Sequence, residues 1–254
     1  MSSGQFQSDE FTGRVAVVTG GSDGLGRDFC RALTEAGCEV YFCARNRERG
    51  EAAATELGPR AHFFGADLAD PEQIEAFAAH VHSNANGVDY LVNNVAIDDR
   101  IEFQDVTADI CDKLWQVNTR SFLLTTRAFL EPLRKGRGKS VVNIGTTNYM
   151  LGLEPFTVYN TTKSAILGFT RSLARELGTE GIRVNMVSPG WIMTAKQLQE
   201  HMTPQDKADL LHDQSLKFLL KPEHVTPTVR FLLSEAAAAV TGQNLVVDGG
   251  KHMQ

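Results

Sequence analysis

The chain has 254 residues and a mass of 27.9 kDa, a length that suits one large α/β domain or two small domains. Hydrophobic residues make up 42% of the sequence and charged residues 22%, which excludes a collagen, a disordered tail and a disulfide-rich mini-protein. The formal net charge of −6 argues against a nucleic-acid partner, because binding to phosphates usually needs a basic face.

The sequence offers no candidate for membrane insertion or export. Its best apolar run, residues 231–240, is about half of the ~20 residues needed to span a bilayer and contains Glu235. The start of the chain lacks a basic residue before Arg14 and lacks an apolar stretch, so we expect no secretory signal and a flexible segment over residues 1–12. The four cysteines form no C-x-x-C pair. We therefore expect reduced thiols, a cytoplasmic location and no metal site.

Short apolar runs alternate with amphipathic runs along the whole sequence. The apolar runs predict seven strands, at 14–19, 39–44, 61–67, 88–94, 139–145, 182–188 and 244–248. The intervening runs predict helices at 24–37, 48–58, 71–83, about 107–134 and 157–177, with further helix within 195–234. This alternation is typical of a single doubly wound, Rossmann-type α/β domain with a mostly parallel sheet and helices on both faces. The polar stretch 191–221 predicts a substrate loop or lid.

The first predicted strand runs directly into a glycine-rich turn and then into a helix. The turn reads Thr19-Gly20-Gly21-Ser22-Asp23-Gly24-Leu25-Gly26. Glycine allows a sharp turn and a close approach of a pyrophosphate to the backbone, while the helix N-terminus offers free N–H groups to the anion. The position after the first strand favours a dinucleotide site over an ordinary strand–helix turn.

Further motifs follow the glycine turn in a fixed order along the chain. They are Asp67, Asn93-Asn94-Val95-Ala96, Asn118, Tyr159-x-x-x-Lys163, Pro189-Gly190-Trp191-Ile192-Met193-Thr194 and Val247-Asp248-Gly249-Gly250. A Y-x-x-x-K pair alone arises often by chance, but the ordered set is specific. From residue 14 to residue 250 the chain resembles the short-chain dehydrogenase/reductase family, in its single-domain branch.

The resemblance implies hydride transfer between a nicotinamide and a carbonyl or secondary alcohol, with four residues acting on the substrate oxygen and the proton. Tyr159 would transfer the proton. Lys163, one helical turn away, would hold the ribose and, together with a bound cationic nicotinamide, lower the pKa of the tyrosine. Thr146 stands where the family has a serine that binds the reacting oxygen, with Thr147 as the alternative. Asn118 would hold a water that relays protons from Lys163.

The resemblance also implies a site for a nicotinamide nucleotide. The expected binding residues are Gly20, Ser22, Asp23, Gly24, Leu25, Gly26, Arg45, Asp67, Leu68, Asn94, Tyr159, Lys163, Pro189, Gly190, Ile192 and Thr194. We expect NADP(H) rather than NAD(H), because Ala44 replaces the acidic residue that binds a ribose 2′-hydroxyl and Arg45 suits a 2′-phosphate. Arg47 is a second candidate for the phosphate, and Asp23 opposes it.

The sequence is compatible with more than one class of small-molecule substrate. Asp98, Asp99 and Gln197 stand in stretches similar to aldose 1-dehydrogenases, where they would bind sugar hydroxyls, although solvated loop residues are an equal alternative. A 3-oxoacyl-type ketoreductase fits the rest of the chain equally well, and a non-catalytic dinucleotide sensor is a candidate from another class. The resemblance further implies a homotetramer or homodimer formed through 107–134 and 157–177.

Overall fold

The computed structural model describes residues 10–200 and 202–253 and is built on one parallel sheet. Its strands are β1 (Val15–Thr19), β2 (Glu39–Ala44), β3 (Ala61–Gly65), β4 (Tyr90–Asn93), β5 (Ser140–Ile144), β6 (Arg183–Pro189) and β7 (Asn244–Val247). They lie in the order β3-β2-β1-β4-β5-β6-β7, and every neighbouring pair is parallel. The predicted doubly wound fold is confirmed. Because the strand order reverses between β1 and β4, the carboxyl ends of these strands form the crevice where such sheets bind ligands.

Eleven helices of the described residues surround the sheet. They are α1 (Gly24–Glu35), α2 (Arg47–Leu57), α3 (Pro71–Asn84), α4 (Ala108–Trp115), α5 (Ser121–Ala128), α6 (Leu130–Lys135), α7 (Asn148–Leu151), α8 (Thr157–Leu177), α9 (Ala195–Glu200), α10 (Pro204–Asp213) and α11 (Pro222–Leu233). Side chains at the N-caps fix several of these starts: Asp23 accepts from the Gly24 N–H, and Asn46 accepts from the Arg49 N–H. No helix in this part of the chain is long and apolar enough to cross a membrane.

Apolar side chains cover both faces of the sheet. Val18 and Phe42 belong to the cluster that also holds residues of α1 and α11. Their neighbours Val17 and Tyr41 point the other way, into the cluster that holds residues of α3 and α8. Burial on both faces explains why the strands are almost continuously apolar in sequence.

The predicted helical stretch over about 107–134 is helical over most of its length, but it is not one regular α-helix. A π-type turn, Gln116–Arg120, separates α4 from α5, and Phe129 separates α5 from α6. Inside the turn, the hydroxyl of Thr119 donates to the carbonyl oxygen of Thr162 at 2.9 Å, which ties it to α8. The π-type turn therefore makes polar contacts with a helix that is distant in sequence. The spacing of apolar residues along a helix does not predict such contacts.

The N-terminal segment packs more closely than expected. Residues 1–9 of the predicted flexible segment lie outside the described residues. For residues 10–12 the structure differs from the prediction, because Phe11 is 1% exposed and its ring lies 5.4 Å from that of Tyr90. The carbonyl oxygen of Phe11 also accepts a hydrogen bond from the Cys38 thiol. Apolar burial holds this part of the segment against the core.

Candidate active site

Two adjoining cavities open at the carboxyl ends of the strands. The first has a volume of about 570 Å³ and reaches the ends of β2 and β3, while the second has about 540 Å³ and reaches the ends of β5 and β6. They share the lining residues Gly20, Asp23, Val95 and Ala96. The two volumes therefore form one cleft at the switch point of the sheet.

The glycine turn is clamped between β1, α1 and the end of β4. Gly20 has a φ of +71°, and a Cβ atom on Gly26 would lie 2.1 Å from the carbonyl oxygen of Gly20. The side chain of Asn94 donates to the carbonyl oxygen of Thr19 at 3.0 Å, and the Thr19 hydroxyl accepts from the Asn94 N–H at 2.8 Å. Only glycine at position 26 permits this close packing, so the turn keeps the backbone cradle that a pyrophosphate would need.

Most of the predicted cofactor residues line the cleft. The lining ones are Gly20, Ser22, Asp23, Gly24, Leu25, Arg45, Asp67, Leu68, Asn94, Tyr159, Pro189, Gly190, Ile192 and Thr194. Two others do not line it: Gly26 is buried beneath the turn, and Lys163 is buried behind Tyr159.

Tyr159 enters the second cavity from the first turn of α8. It is 8% exposed. Burial raises the pKa of its hydroxyl, the nearby carboxylate of Asp98 raises the pKa further, and a hydrogen bond with Thr146 lowers it. The residues of the chain alone therefore keep Tyr159 protonated at neutral pH. The lowered pKa that we expected depends on a bound cationic nicotinamide as well as on Lys163, and it stays a prediction.

Lys163 lies on the same face of α8, but its ammonium group points towards the sheet. Its Nζ atom donates to the carbonyl oxygen of Ile144 at 2.7 Å and lies 5.0 Å from the ring centroid of Phe122. Burial lowers the pKa of Lys163 to about 7. A lysine with this pKa can exchange a proton in either direction at neutral pH.

The two adjacent threonines after β5 have different surroundings. Thr146 lies beside the hydroxyl of Tyr159 and accepts a hydrogen bond from the Asn148 N–H at 3.2 Å. The Thr147 hydroxyl instead donates to the carbonyl oxygen of Pro189, 3.4 Å away. The geometry therefore favours Thr146 for contact with a substrate oxygen.

Asn118 is fully buried in the π-type turn and does not line the cleft. Its side chain accepts from the Ile97 N–H at 2.8 Å and donates to the Ile97 carbonyl oxygen at 2.9 Å. It also donates to the Thr162 hydroxyl at 3.2 Å. Both amide hydrogens are thus used in holding the loop after β4 against α8, which positions the wall of the cleft.

A chain of hydrogen bonds crosses the second cavity. The indole N–H of Trp191 donates to Gln197 Oε1 at 2.8 Å, and Gln197 Nε2 donates to Asp98 Oδ2 at 2.9 Å. Asp98 and Gln197 both line the cavity. Asp99 does not line it and instead pairs with Lys113 at 2.8 Å. Of the three residues predicted to bind substrate hydroxyls, the structure brings only Asp98 and Gln197 together at the cavity.

The second cavity also contains charged side chains that sequence reasoning missed. The guanidinium group of Arg100 lies 5.3 Å from the ring centroid of Phe156 and 5.8 Å from that of Trp191. Asp206, from α10, and Lys251, near the end of the chain, complete this wall. No motif marks these residues, because only the tertiary fold brings them to the cavity.

In the first cavity, the missed polar residues are Asn46 and Arg49. Both line it, whereas the predicted alternative Arg47 does not. Arg47 is 80% exposed at its side chain and pairs with Glu51 at 3.7 Å. Among residues 10–200 and 202–253, no group of His, Cys, Asp or Glu side chains is arranged to hold a metal ion.

Comparisons with known proteins agree with this geometry. A family model described as enoyl-(acyl carrier protein) reductase matches residues 20–252. The D-xylose 1-dehydrogenase of Caulobacter vibrioides is 36% identical, covering 94% of this chain and 95% of its own. A cyclopentanol dehydrogenase of Comamonas testosteroni is 34% identical, covering 93% and 96%. A solved structure from Sinorhizobium meliloti, provisionally described as a short-chain alcohol dehydrogenase, superposes with a TM-score of 0.89 at 29% identity, covering 95% of this chain and 98% of that one.

Proposed function

Since the chain belongs to the short-chain dehydrogenase/reductase family, we propose that it transfers a hydride between a nicotinamide nucleotide and a carbonyl or secondary alcohol. The family membership makes it an oxidoreductase. The proposal of hydride transfer to a carbonyl or alcohol rests on the position of Tyr159 beside Thr146, in a cleft that continues to the glycine turn at α1. A proton donor and an anion cradle then face the same space.

We assign the proton transfer to Tyr159. Its raised pKa keeps the phenol protonated at neutral pH, which is the form that can donate to a carbonyl oxygen during reduction. A bound nicotinamide would supply the hydride in that direction and accept it in the reverse. For alcohol oxidation the tyrosine must first lose its proton, and the same hydroxyl of Thr146 orients the reacting oxygen in both directions.

Lys163 serves in this proposal as a proton-exchanging group behind Tyr159. Its pKa of about 7 suits a relay that works at neutral pH. Its ammonium group donates one hydrogen bond to the carbonyl oxygen of Ile144, which leaves two N–H donors for a ribose hydroxyl or a water. Asn118 contributes by holding the loop at Ile97.

We propose NADP(H) as the cofactor. The cradle fits a dinucleotide, because a Cβ atom at position 26 would collide with the turn. Ala44 and Arg45 line the first cavity at the end of β2, where a neutral residue followed by a guanidinium group suits a 2′-phosphate. Asp23 lines the same cavity and weakens this preference.

For the substrate we propose a polyhydroxylated carbonyl compound or its reduced form, with a free aldose as the specific candidate. The hydrogen-bond chain from Trp191 through Gln197 to Asp98 supports it, because a fixed carboxylate beside Tyr159 suits the hydroxyl of a sugar. One relative is named for a sugar and another for an apolar cyclic alcohol. A 3-oxoacyl thioester is the second candidate. The matched family model is named for a reductase of enoyl thioesters on acyl carrier protein, which supports an acyl thioester but not the 3-oxo group itself.

A cofactor-linked activity screen tests the proposal. Purified protein is assayed in both directions against pentoses, hexoses, cyclopentanol and 3-oxoacyl thioesters, with NADP(H) and NAD(H). Turnover should fall by at least about 10²–10³ in Tyr159→Phe while nucleotide still binds, because the variant keeps the ring and loses the proton donor. Nucleotide binding without turnover on any of these substrates would instead favour the dinucleotide-sensing alternative.

The homo-oligomer also stays a proposal. Trp115 and Leu123, on α4 and α5, are 46% and 40% exposed, and an apolar surface of this kind is suited to burial against a second copy. Light scattering of the purified protein, compared with Trp115→Lys and Leu123→Lys, tests whether this face forms the interface.

A further inference from the structure

The arginines around the first cavity fall into two groups. Those that do not line it are paired with carboxylates: Arg31 with Glu56, Arg47 with Glu51 and Arg60 with Glu39. The two that line it, Arg45 and Arg49, have no carboxylate within ion-pair distance among the described residues. The cavity is therefore lined by two arginines for which the described residues provide no ion-pair partner.

The acidic residues of the same cavity are in the opposite condition. Asp23 accepts a hydrogen bond from the Gly24 N–H at 2.7 Å, and Asp67 accepts one from the Ala69 N–H at 3.0 Å. Each carboxylate thus already accepts a hydrogen bond from a backbone N–H. An anion entering the cavity meets two guanidinium groups without an acidic partner and two carboxylates that are already hydrogen bonded.

The local structure explains why Arg49 rather than Arg47 reaches the cavity. Asn46 lines the cavity and caps α2 by accepting from the Arg49 N–H at 2.9 Å. The side chain of Arg47 is directed to Glu51, one turn further along the helix. Arg49 is therefore the arginine on the first turn of α2 that lines the cavity, and no carboxylate of the described residues pairs with it.

We infer that Arg49 is a specificity-determining residue that binds the 2′-phosphate of the cofactor together with Arg45. The inference rests on the proposed use of NADP(H) and assigns a residue that the end of β2 alone does not reveal. A phosphate has three acceptor oxygens, so two guanidinium groups approaching from the end of β2 and the start of α2 can each donate to it. NAD(H) has only a hydroxyl at that place and gains little from the second arginine.

Binding of nucleotide fragments tests the inference without relying on turnover. Calorimetry measures the dissociation constants of adenosine 2′,5′-bisphosphate and of 5′-ADP for the wild type, Arg49→Ala, Arg49→Lys and the control Arg47→Ala. Arg49→Ala should weaken the 2′,5′-bisphosphate about tenfold, in line with the loss of a charge-assisted hydrogen bond. The dissociation constant of 5′-ADP should not change in this variant. Arg49→Lys should lose only part of the affinity, and Arg47→Ala should lose none.

The outcomes separate this inference from the cofactor proposal. If the wild type binds 5′-ADP as tightly as the 2′,5′-bisphosphate, the preference for NADP(H) is wrong and the role of Arg49 falls with it. If the wild type prefers the 2′-phosphate but Arg49→Ala does not weaken it, or Arg47→Ala weakens it equally, only the role of Arg49 is overturned. Thermal unfolding of each variant checks that the fold is intact.

Discussion

The ammonium group of Lys163 donates a hydrogen bond to the carbonyl oxygen of Ile144, 2.7 Å away, at the last residue of β5. This contact ties α8, which carries Tyr159, to the strand that leads into Thr146. The helix and the strand that carry the two hydroxyl groups assigned to the reacting oxygen are thus connected through one buried lysine, which is 1% exposed. Besides its proposed chemical role, the buried charge of Lys163 lowers the free energy of unfolding. The size of this effect depends on pH.

The stability of the protein should rise with pH because of Lys163. Burial lowers its pKa from 10.5 to about 7. Below pH 7 the lysine is protonated in both the folded and the unfolded chain, so the full cost of burying the charge is present. Between pH 7 and pH 10.5 only the unfolded chain keeps the proton, so the free energy of unfolding increases with pH.

Lys163→Met removes this titration. The stability gained by the variant over the wild type should be greater at pH 6 than at pH 9, by about 3 kcal/mol. Urea unfolding at the two pH values measures the difference. The exposed lysine of α10 provides the control, and Lys207→Met should give the same difference from wild type at both values. Parallel pH curves for the wild type and Lys163→Met would contradict the buried-charge argument.

The rate of alcohol oxidation should increase with pH, because oxidation needs the deprotonated form of Tyr159. The carboxylate of Asp98 is one of the causes that raise the pKa of this tyrosine. Removing the negative charge in Asp98→Asn should therefore move the rising limb of the kcat/KM profile to lower pH. The profile is measured with a monofunctional alcohol, so that loss of a substrate contact does not distort it. A shift to higher pH would contradict the electrostatic role of Asp98.

The order of strands and helices could be predicted because each element carries its own periodic signal. Buried parallel strands are short apolar runs, and the helices between them bury one face. The break at Gln116–Arg120 could not be predicted in this way. Its contacts join Asn118 and Thr119 to Thr162 on another helix, and such a tertiary contact leaves no mark in the local pattern.

The candidate site was predictable to the extent that its residues stand at strand ends. Parallel strands bring their carboxyl ends to one edge of the sheet, so motifs far apart in the chain converge there. The choice between adjacent or nearby residues of one type was predictable only in part. Arg47 is held by Glu51, and Asp99 is held by Lys113. The i,i+4 spacing of Arg47 and Glu51 could have identified that pair, whereas the contact between Asp99 and Lys113 depends on the tertiary fold.

Asp98 and Asp99 provide a matched pair for testing the substrate class. Asp98 lines the cavity beside Gln197, whereas Asp99 lies outside the cavity on Lys113. Asp98→Asn should raise KM for the accepted sugar about tenfold, the loss expected for one charge-assisted hydrogen bond. KM for cyclopentanol should change little, and Asp99→Asn should change neither value. Equal effects of Asp98→Asn on both substrates would argue against recognition of a sugar hydroxyl by this carboxylate.

The glycine turn offers the sharpest test of the cofactor cradle. In Gly26→Ala the new methyl group would lie 2.1 Å from the carbonyl oxygen of Gly20 and 2.6 Å from Nδ2 of Asn94. Backbone cannot rotate away as a flexible side chain can, so the turn must shift. We expect a loss of about 1–3 kcal/mol in the free energy of unfolding and weaker binding of the nucleotide.

Gly168 is the matched control for this substitution. It lies within α8, and a Cβ atom there would meet no heavy atom within 4 Å. Gly168→Ala should stabilise the protein by up to about 1 kcal/mol, because alanine favours a helix interior over glycine. Urea unfolding and calorimetric binding of the nucleotide are compared for the two variants. A Gly26→Ala protein that binds nucleotide as tightly as Gly168→Ala does would show that the close packing at this turn is not needed for the cofactor.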